Sequence, residues 1–121
     1  QNAFLRDFKP IAQSLEKGGY TQFTPHFITW ECIDDPPTSA ECVSQCVNAG
    51  RYCAPDPDED IHAGYSGADI VIDNLRALCV FDVANKSNTP WLWWDYVSEF
   101  GEQCTMKNGK FAARSCAEKV V

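Results

Sequence analysis

The chain has 121 residues, 45% hydrophobic and 12% aromatic, enough apolar side chain to build a core and to argue against disorder. Ten basic and seventeen acidic residues leave a net charge of −7, with no Lys/Arg cluster to offset it. That balance argues against nucleic acid and against anionic lipid as partners.

Phe4, Phe8, Ile11, Ala12 and Leu15 keep helical spacing. Pro10 interrupts that pattern and fits a first turn, which predicts a helix over 9–17 stopped by Gly18-Gly19. Residues 26–32, HFITWEC, are rich in β-branched and aromatic types and read as a strand. IDDPP follows as a turn-rich loop. Thr38-x-x-Glu41 has the form of a capping box and opens a helix to about Asn48, with Gly50 beyond it. On that helix Cys42 and Cys46 share a face. Residues 51–65 read as irregular.

Ser66-x-x-Asp69 caps the next helix, whose apolar stripe is Val71, Leu75, Leu78 and Cys79. Residues 85–89, NKSNT, read as a polar loop. Thr89-Pro90 then starts a helix carrying Trp91, Trp93, Trp94, Tyr96 and Phe100. Its stripe is Trp93, Val97, Phe100 and Cys104, and a helix apolar nearly all round is buried on several sides. Trp91 and Trp94 fall off that stripe and are candidates for a partner surface. Asn108-Gly109 marks a turn before a last helix over 110–120. The pattern runs on to Val120-Val121, so the domain is expected to continue. The fold class is α+β and mainly helical. Residues 1–37 supply helix, strand and loop, and 38–121 a helical, disulfide-rich part.

Seven cysteines dominate the chemistry: Cys32, Cys42, Cys46, Cys53, Cys79, Cys104 and Cys116. No C-x-x-C pair is present, and neither His26 nor His62 lies beside a cysteine pair, so zinc lacks its clustered ligands. The same gap argues against thiol redox catalysis. Disulfides in an oxidising compartment are the plainer reading. Asn85-Lys86-Ser87 is an N-glycosylation sequon and points to the same compartment, the secretory lumen or the cell surface. No signal peptide and no apolar run of about 18 residues occur in the chain, so targeting and any membrane anchor are expected elsewhere.

Asp56, Asp58 and Asp60 alternate like the opening of an EF-hand loop. Ile61 then stands where glycine is needed, and Gly67 where a bidentate glutamate is needed, so the loop reads as solvated acid. There is no nucleophile elbow and no phosphate-binding loop. Asp34-Asp35 is an adjacent pair in a loop of a chain already rich in acids. No catalytic residue, metal or cofactor is expected.

Taken in order, LEKGGYTQFTPHFITWEC, SQCVNAGRYCAPDPDED, GYSGADIVIDNLR, VANKS and PWLWWDYVSEF resemble the luminal region of vacuolar sorting receptors of plants and green algae. The chain departs from that family between residues 32 and 41, and at Thr105, where proline is usual. The resemblance implies the first part of a central thioredoxin-like region with a helical insertion. It further implies adjoining protease-associated and EGF-like domains, a membrane helix outside this chain, and soluble cargo proteins as partners along the Golgi, prevacuolar and vacuolar route. The function expected is a non-catalytic binding or scaffold module. The alternatives are a structural extracellular glycoprotein domain and a thioredoxin-like oxidoreductase.

Antiparallel packing of consecutive helices brings the start of one to the end of the next. It predicts Cys42–Cys79, Cys46–Cys53 where the chain reverses at Gly50, and Cys104–Cys116 across the Asn108-Gly109 turn. Cys32 is left free or with a partner beyond Val121.

Overall fold

The computed structural model describes residues 1–32 and 39–121. In chain order they form α1 (Asn2–Lys17), α2 (Ala40–Gln45), β1 (Cys46–Val47), β2 (Tyr52–Cys53), α3 (Gly67–Lys86), α4 (Leu92–Gln103) and α5 (Arg114–Val120). Among the described residues the fold is thus mainly helical, with one short sheet and three disulfides. It divides into two compact units: Gln1–Pro25 with Ala77–Val121, and His26–Arg76.

The first unit is built on α1 and α4. Asn2 Nδ2 donates to Gly101 O (3.1 Å), Lys9 pairs with Asp95 (3.3 Å), and Gln13 Nε2 donates to Trp91 O (3.0 Å). Residue numbers rise along α1 as they fall along α4, so the two helices run antiparallel. Their seam is aromatic. Phe8 meets Trp94 edge-on at 5.6 Å, and Phe23 lies 5.0 Å from Trp93 and 4.8 Å from Trp94. Phe8, Ala12 and Glu16 are the α1 residues that turn inward, at i, i+4, i+8. Phe4, Ile11 and Leu15 of the expected stripe are exposed instead.

α1 also begins seven residues before its predicted start, and Pro10 lies inside it. Proline costs a helix one N–H and crowds the carbonyl four residues back. Here Pro10 is exposed, so the freed Arg6 carbonyl can turn to water. The helix ends at the predicted glycines. Gly19, at φ +75°, donates to Glu16 O, and Tyr20 donates to Leu15 O, each at 3.0 Å, which is a Schellman closure.

α3 ends the same way, with Asn88 at φ +58° as the left-handed residue and Thr89 N donating to Ala84 O at 2.9 Å. The helix therefore reaches Lys86, and the expected loop over 85–89 shrinks to its last residues. Thr89 does not cap α4: its hydroxyl donates back to Ala84 O. α4 instead starts at Leu92, after 3₁₀-type bonds from Leu92, Trp93 and Trp94 to the carbonyls three residues back. α5 starts at Arg114, later than predicted, because the Lys110 amide is held in the turn by Asn108 Oδ1 and Thr105 O.

In the second unit the cap expected at Thr38 lies outside the described residues. Ser39 does the capping, accepting from Cys42 N at 3.3 Å. The helix it opens stops at Gln45, well short of Asn48, because Cys46 is extended (φ −125°, ψ 157°) and enters β1. β1 and β2 form an antiparallel hairpin, with Cys46 opposite Cys53 and Val47 opposite Tyr52. Asn48, Ala49 and Gly50 all turn through positive φ between them. Cys42 and Cys46 therefore do not share a helical face.

The strand expected over 26–32 reduces to one bridge. Trp30 and Cys53 exchange backbone bonds of 3.1 and 2.9 Å, while Ile28 is 97% exposed. The Ser66 capping box forms as read: Asp69 N donates to Ser66 Oγ (3.2 Å) and Ser66 N to Asp69 Oδ2 (2.9 Å). On α3 only Val71 of the predicted stripe is buried; Leu75, Leu78 and Cys79 are exposed.

Candidate functional site

The cysteines pair in chain order. Cys32 joins Cys42 with Cα atoms 5.9 Å apart, Cys46 joins Cys53 at 4.1 Å, and Cys104 joins Cys116 at 5.9 Å. The close approach of Cys46 and Cys53 has a backbone cause. Cys53 spends its N–H and C=O on Trp30, so opposite Cys46 it forms a non-hydrogen-bonded pair, where antiparallel strands come nearest.

The Cys42–Cys79 bridge and the unpaired Cys32 are overturned. That pairing needed two antiparallel helices, and α2 is too short to be one of them. Cys42 is instead bonded inside the second unit, and Cys79 is the free thiol, exposed on α3.

Trp94 is not part of a partner surface. It is 5% exposed, and its indole N–H donates to Glu16 Oε1 at 2.8 Å. The off-stripe position signalled a second packed face, because α1 covers that side of α4. Trp93 is buried beside it, donating to Ala77 O at 3.1 Å. Trp91 is half-buried, with the Lys17 ammonium 5.9 Å from its ring centroid, within cation–π range. Asn85 is exposed in the last turn of α3, a position that leaves its side chain open to a glycan.

The acidic loop ties itself together. Asp58 N donates to Asp56 Oδ1 (3.0 Å), Asp60 N to Asp58 Oδ1 (3.0 Å) and His62 N to Asp60 Oδ1 (2.9 Å). Each aspartate thus makes an Asx turn with the amide two residues on. The side chain of Asp56 hydrogen-bonds that of Asp58 and raises the Asp58 carboxyl above the ordinary carboxylate range. Among the described residues no group of three or more His, Cys, Asp or Glu is placed to hold a metal ion.

One feature has a lining that carries no pattern in the sequence. An open cavity of about 490 Å³ lies where α4 turns into α5, lined by Glu102, Gln103, Asn108, Lys110, Ser115 and Lys119 among others. The Cys104–Cys116 bridge holds its two walls together. Its lining is mixed in charge, with Glu102 set against Lys110 and Lys119. The residues come together through the disulfide and through the turn, where Asn108 Nδ2 donates to Gln103 O at 3.0 Å and Lys110 N to Asn108 Oδ1 at 3.0 Å. Among the described residues no helix is long and apolar enough to cross a membrane.

The model of the vacuolar sorting receptor thioredoxin-like domain matches residues 1–121. The chain is 56% identical over 118 residues to vacuolar-sorting receptor 1 of Pisum sativum and 55% identical over 118 residues to vacuolar-sorting receptor 4 of Arabidopsis thaliana. With vacuolar-sorting receptor 6 of Arabidopsis thaliana it shares 55% identity over 121 residues. These matches cover 98 to 100% of the chain but only 19% of each receptor, so the chain spans about a fifth of the length of its relatives. A chain matched from end to end by this model, and sharing more than half its residues with such receptors, belongs to the vacuolar sorting receptor family through its thioredoxin-like domain.

Proposed function

We propose that these 121 residues are a non-catalytic luminal module of a vacuolar cargo-sorting receptor, and that they contribute to recognition of soluble cargo proteins. The observation that carries this reading is the end-to-end match to receptors whose names state that they sort to the vacuole. Three bridged cysteine pairs are in keeping with an oxidising lumen. A thiol oxidoreductase works through a vicinal dithiol. The bridged cysteines here are 7 to 12 residues apart, not in the C-x-x-C spacing, which favours binding over catalysis.

The open cavity at the α4–α5 turn is the polar surface we assign to cargo, with Lys110 and Lys119 as its cationic contacts. The test is cargo-peptide binding by the complete luminal region, wild type against Lys110→Glu with Lys119→Glu. A clear loss of affinity supports the assignment. Unchanged affinity of the double variant would reduce this domain to a scaffold for its neighbours. Asn85 is proposed to carry an N-linked glycan, and peptide-N-glycosidase treatment of the native receptor should lower the mass of the peptide that contains it. An unchanged mass refutes the glycan.

A further inference from the structure

Charge is unevenly placed along the chain. Acids outnumber bases seventeen to ten overall. Residues 105–121 reverse that balance, with Lys107, Lys110, Arg114 and Lys119 against Glu118 alone. Before that segment the cations are engaged. Arg6, Lys9 and Lys86 form ion pairs, Lys17 and Arg51 lie over aromatic rings, and Arg76 sits beside Asp73. Within it, Arg114 is held by Glu118 at 2.6 Å. Lys107, Lys110 and Lys119 are exposed and form no ion pair among the described residues.

Two of these three lysines line the open cavity where α4 turns into α5. Its volume of about 490 Å³ lies within the usual span of ligand sites. The site is also fixed in advance. The Cys104–Cys116 bridge ties its walls, and the Lys110 amide is held by Asn108 Oδ1 and Thr105 O. Little ordering cost therefore falls on a ligand. Screening over about 8 Å at physiological salt damps the distant acids and leaves the local lysines to set the potential.

The lining also selects the kind of anion. A lysine is a point charge that suits a single carboxylate, whereas the forked guanidinium that favours phosphate is absent from the wall. Glu102 stands in the same lining, in ion-pair contact with neither lysine. It repels a compact polyanion. A peptide, by contrast, spaces its carboxylates apart and can turn a cationic side chain towards Glu102.

We propose that the α4–α5 cavity binds an acidic peptide segment, two carboxylates of which meet Lys110 and Lys119 while a basic side chain between them meets Glu102. The inference deepens the cargo reading above and rests on it for the source of the peptide, a segment of a soluble cargo protein.

The test uses the complete receptor and a fluorescent, end-blocked peptide with an Asp-Lys-Asp core, titrated by anisotropy at low and high salt. The wild type should bind it, more weakly as salt rises, and an Asn-Lys-Asn counterpart should fail to compete. Lys110→Gln with Lys119→Gln should weaken binding about three- to tenfold, the loss of two exposed ion pairs, and flatten the salt dependence. Arg114→Gln, outside the cavity wall, should leave affinity unchanged. Glu102→Gln should weaken the Asp-Lys-Asp peptide and spare an Asp-Gln-Asp one. Equal binding of the acidic and amide peptides overturns the proposal. So does unchanged affinity in the double lysine variant, or stronger competition by inorganic phosphate than by the acidic peptide. A cargo peptide assayed in parallel separates the two readings. If cargo binding needs the lysines but the acidic peptide does not compete, the cargo reading stands and this one falls. If the acidic peptide needs the lysines and cargo does not, the acidic-peptide site stands and its assignment to cargo falls.

Discussion

Glu16 is a carboxylate in the wall of an aromatic core, held there by the indole N–H of Trp94. Removing it by Glu16→Ala would leave a buried donor unsatisfied, at a cost of about 1–3 kcal/mol. Glu16→Gln keeps an acceptor and should lose much less, so a comparison of urea midpoints for the two variants isolates the bond. Asp73 presents the opposite case. Burial pushes its carboxyl up to about 6, partly opposed by the nearby Arg76 guanidinium. Its folded pKa lies above its unfolded one, so the folded state binds the proton more tightly. Stability is accordingly full below about pH 4 and falls as pH rises through 6. Asp73→Asn should therefore stabilise the protein at pH 7, by about 1–2 kcal/mol after allowance for solvent screening. The gain should vanish near pH 4. A melting-temperature difference that is flat from pH 4 to pH 7 would contradict the burial argument.

At the scale of elements, the N-terminus of α3 is fitted against the hairpin. A Cβ on Gly67 would collide with the Ala54 carbonyl and come within 3.0 Å of Gln45 Cα, all backbone atoms. Gly67→Ala should cost about 1–3 kcal/mol, since backbone must move to admit the methyl. Gly109→Ala tests a different cause. It has open space around it but a φ of +73°, so any loss there is strain in the turn alone. The acidic loop should respond little to calcium, because its carboxylates already accept from its own amides. A rise of many degrees in melting temperature at millimolar calcium would show that these bonds yield to the ion.

The features readable from the sequence were those decided within a few residues. The Ser66–Asp69 box, the stop at Gly18-Gly19 and the turn at Asn108-Gly109 depend only on side chains near the bond they make. The end of α2 depends on Trp30, distant in sequence, which takes both backbone groups of Cys53 and holds the hairpin open against helix propensity. The α1 stripe was misplaced for a related reason. Phe8 and Glu16 turn inward because α4 supplies an indole ring and an indole N–H, and no local spacing records either. The α4–α5 cavity was framed by the expected Cys104–Cys116 bridge and Asn108-Gly109 turn, but the side chains that line it carry no pattern of their own.

Across the whole molecule the two units hold together by different means. The buried apolar residues described in His26–Arg76 are Cys42, Cys46, Cys53, Ala54 and Val71, and three of these five are half-cystines. The other unit buries Trp93, Trp94, Tyr96 and Phe100. Loops closed between cysteines 7 to 12 residues apart are worth about 2–3 kcal/mol each in the chain-entropy account. Reduction should therefore melt the second unit first. Hydrogen exchange in dithiothreitol should release the amides of residues 39–56 while those of α4 stay protected. Simultaneous release of both sets would mean that the aromatic seam cannot hold its unit unaided.

The order of the bridges bears on how the chain is made. Within this segment Cys32 pairs with Cys42 and Cys46 with Cys53, each with the next cysteine in line. Cys79 follows and is bonded to none of the other six. Cys104 passes over it to bond Cys116, twelve residues further on. Nearest-neighbour oxidation would therefore give the first two bridges, and correct pairing in this segment turns on one decision, the choice that Cys104 makes between a neighbour behind it and a neighbour ahead.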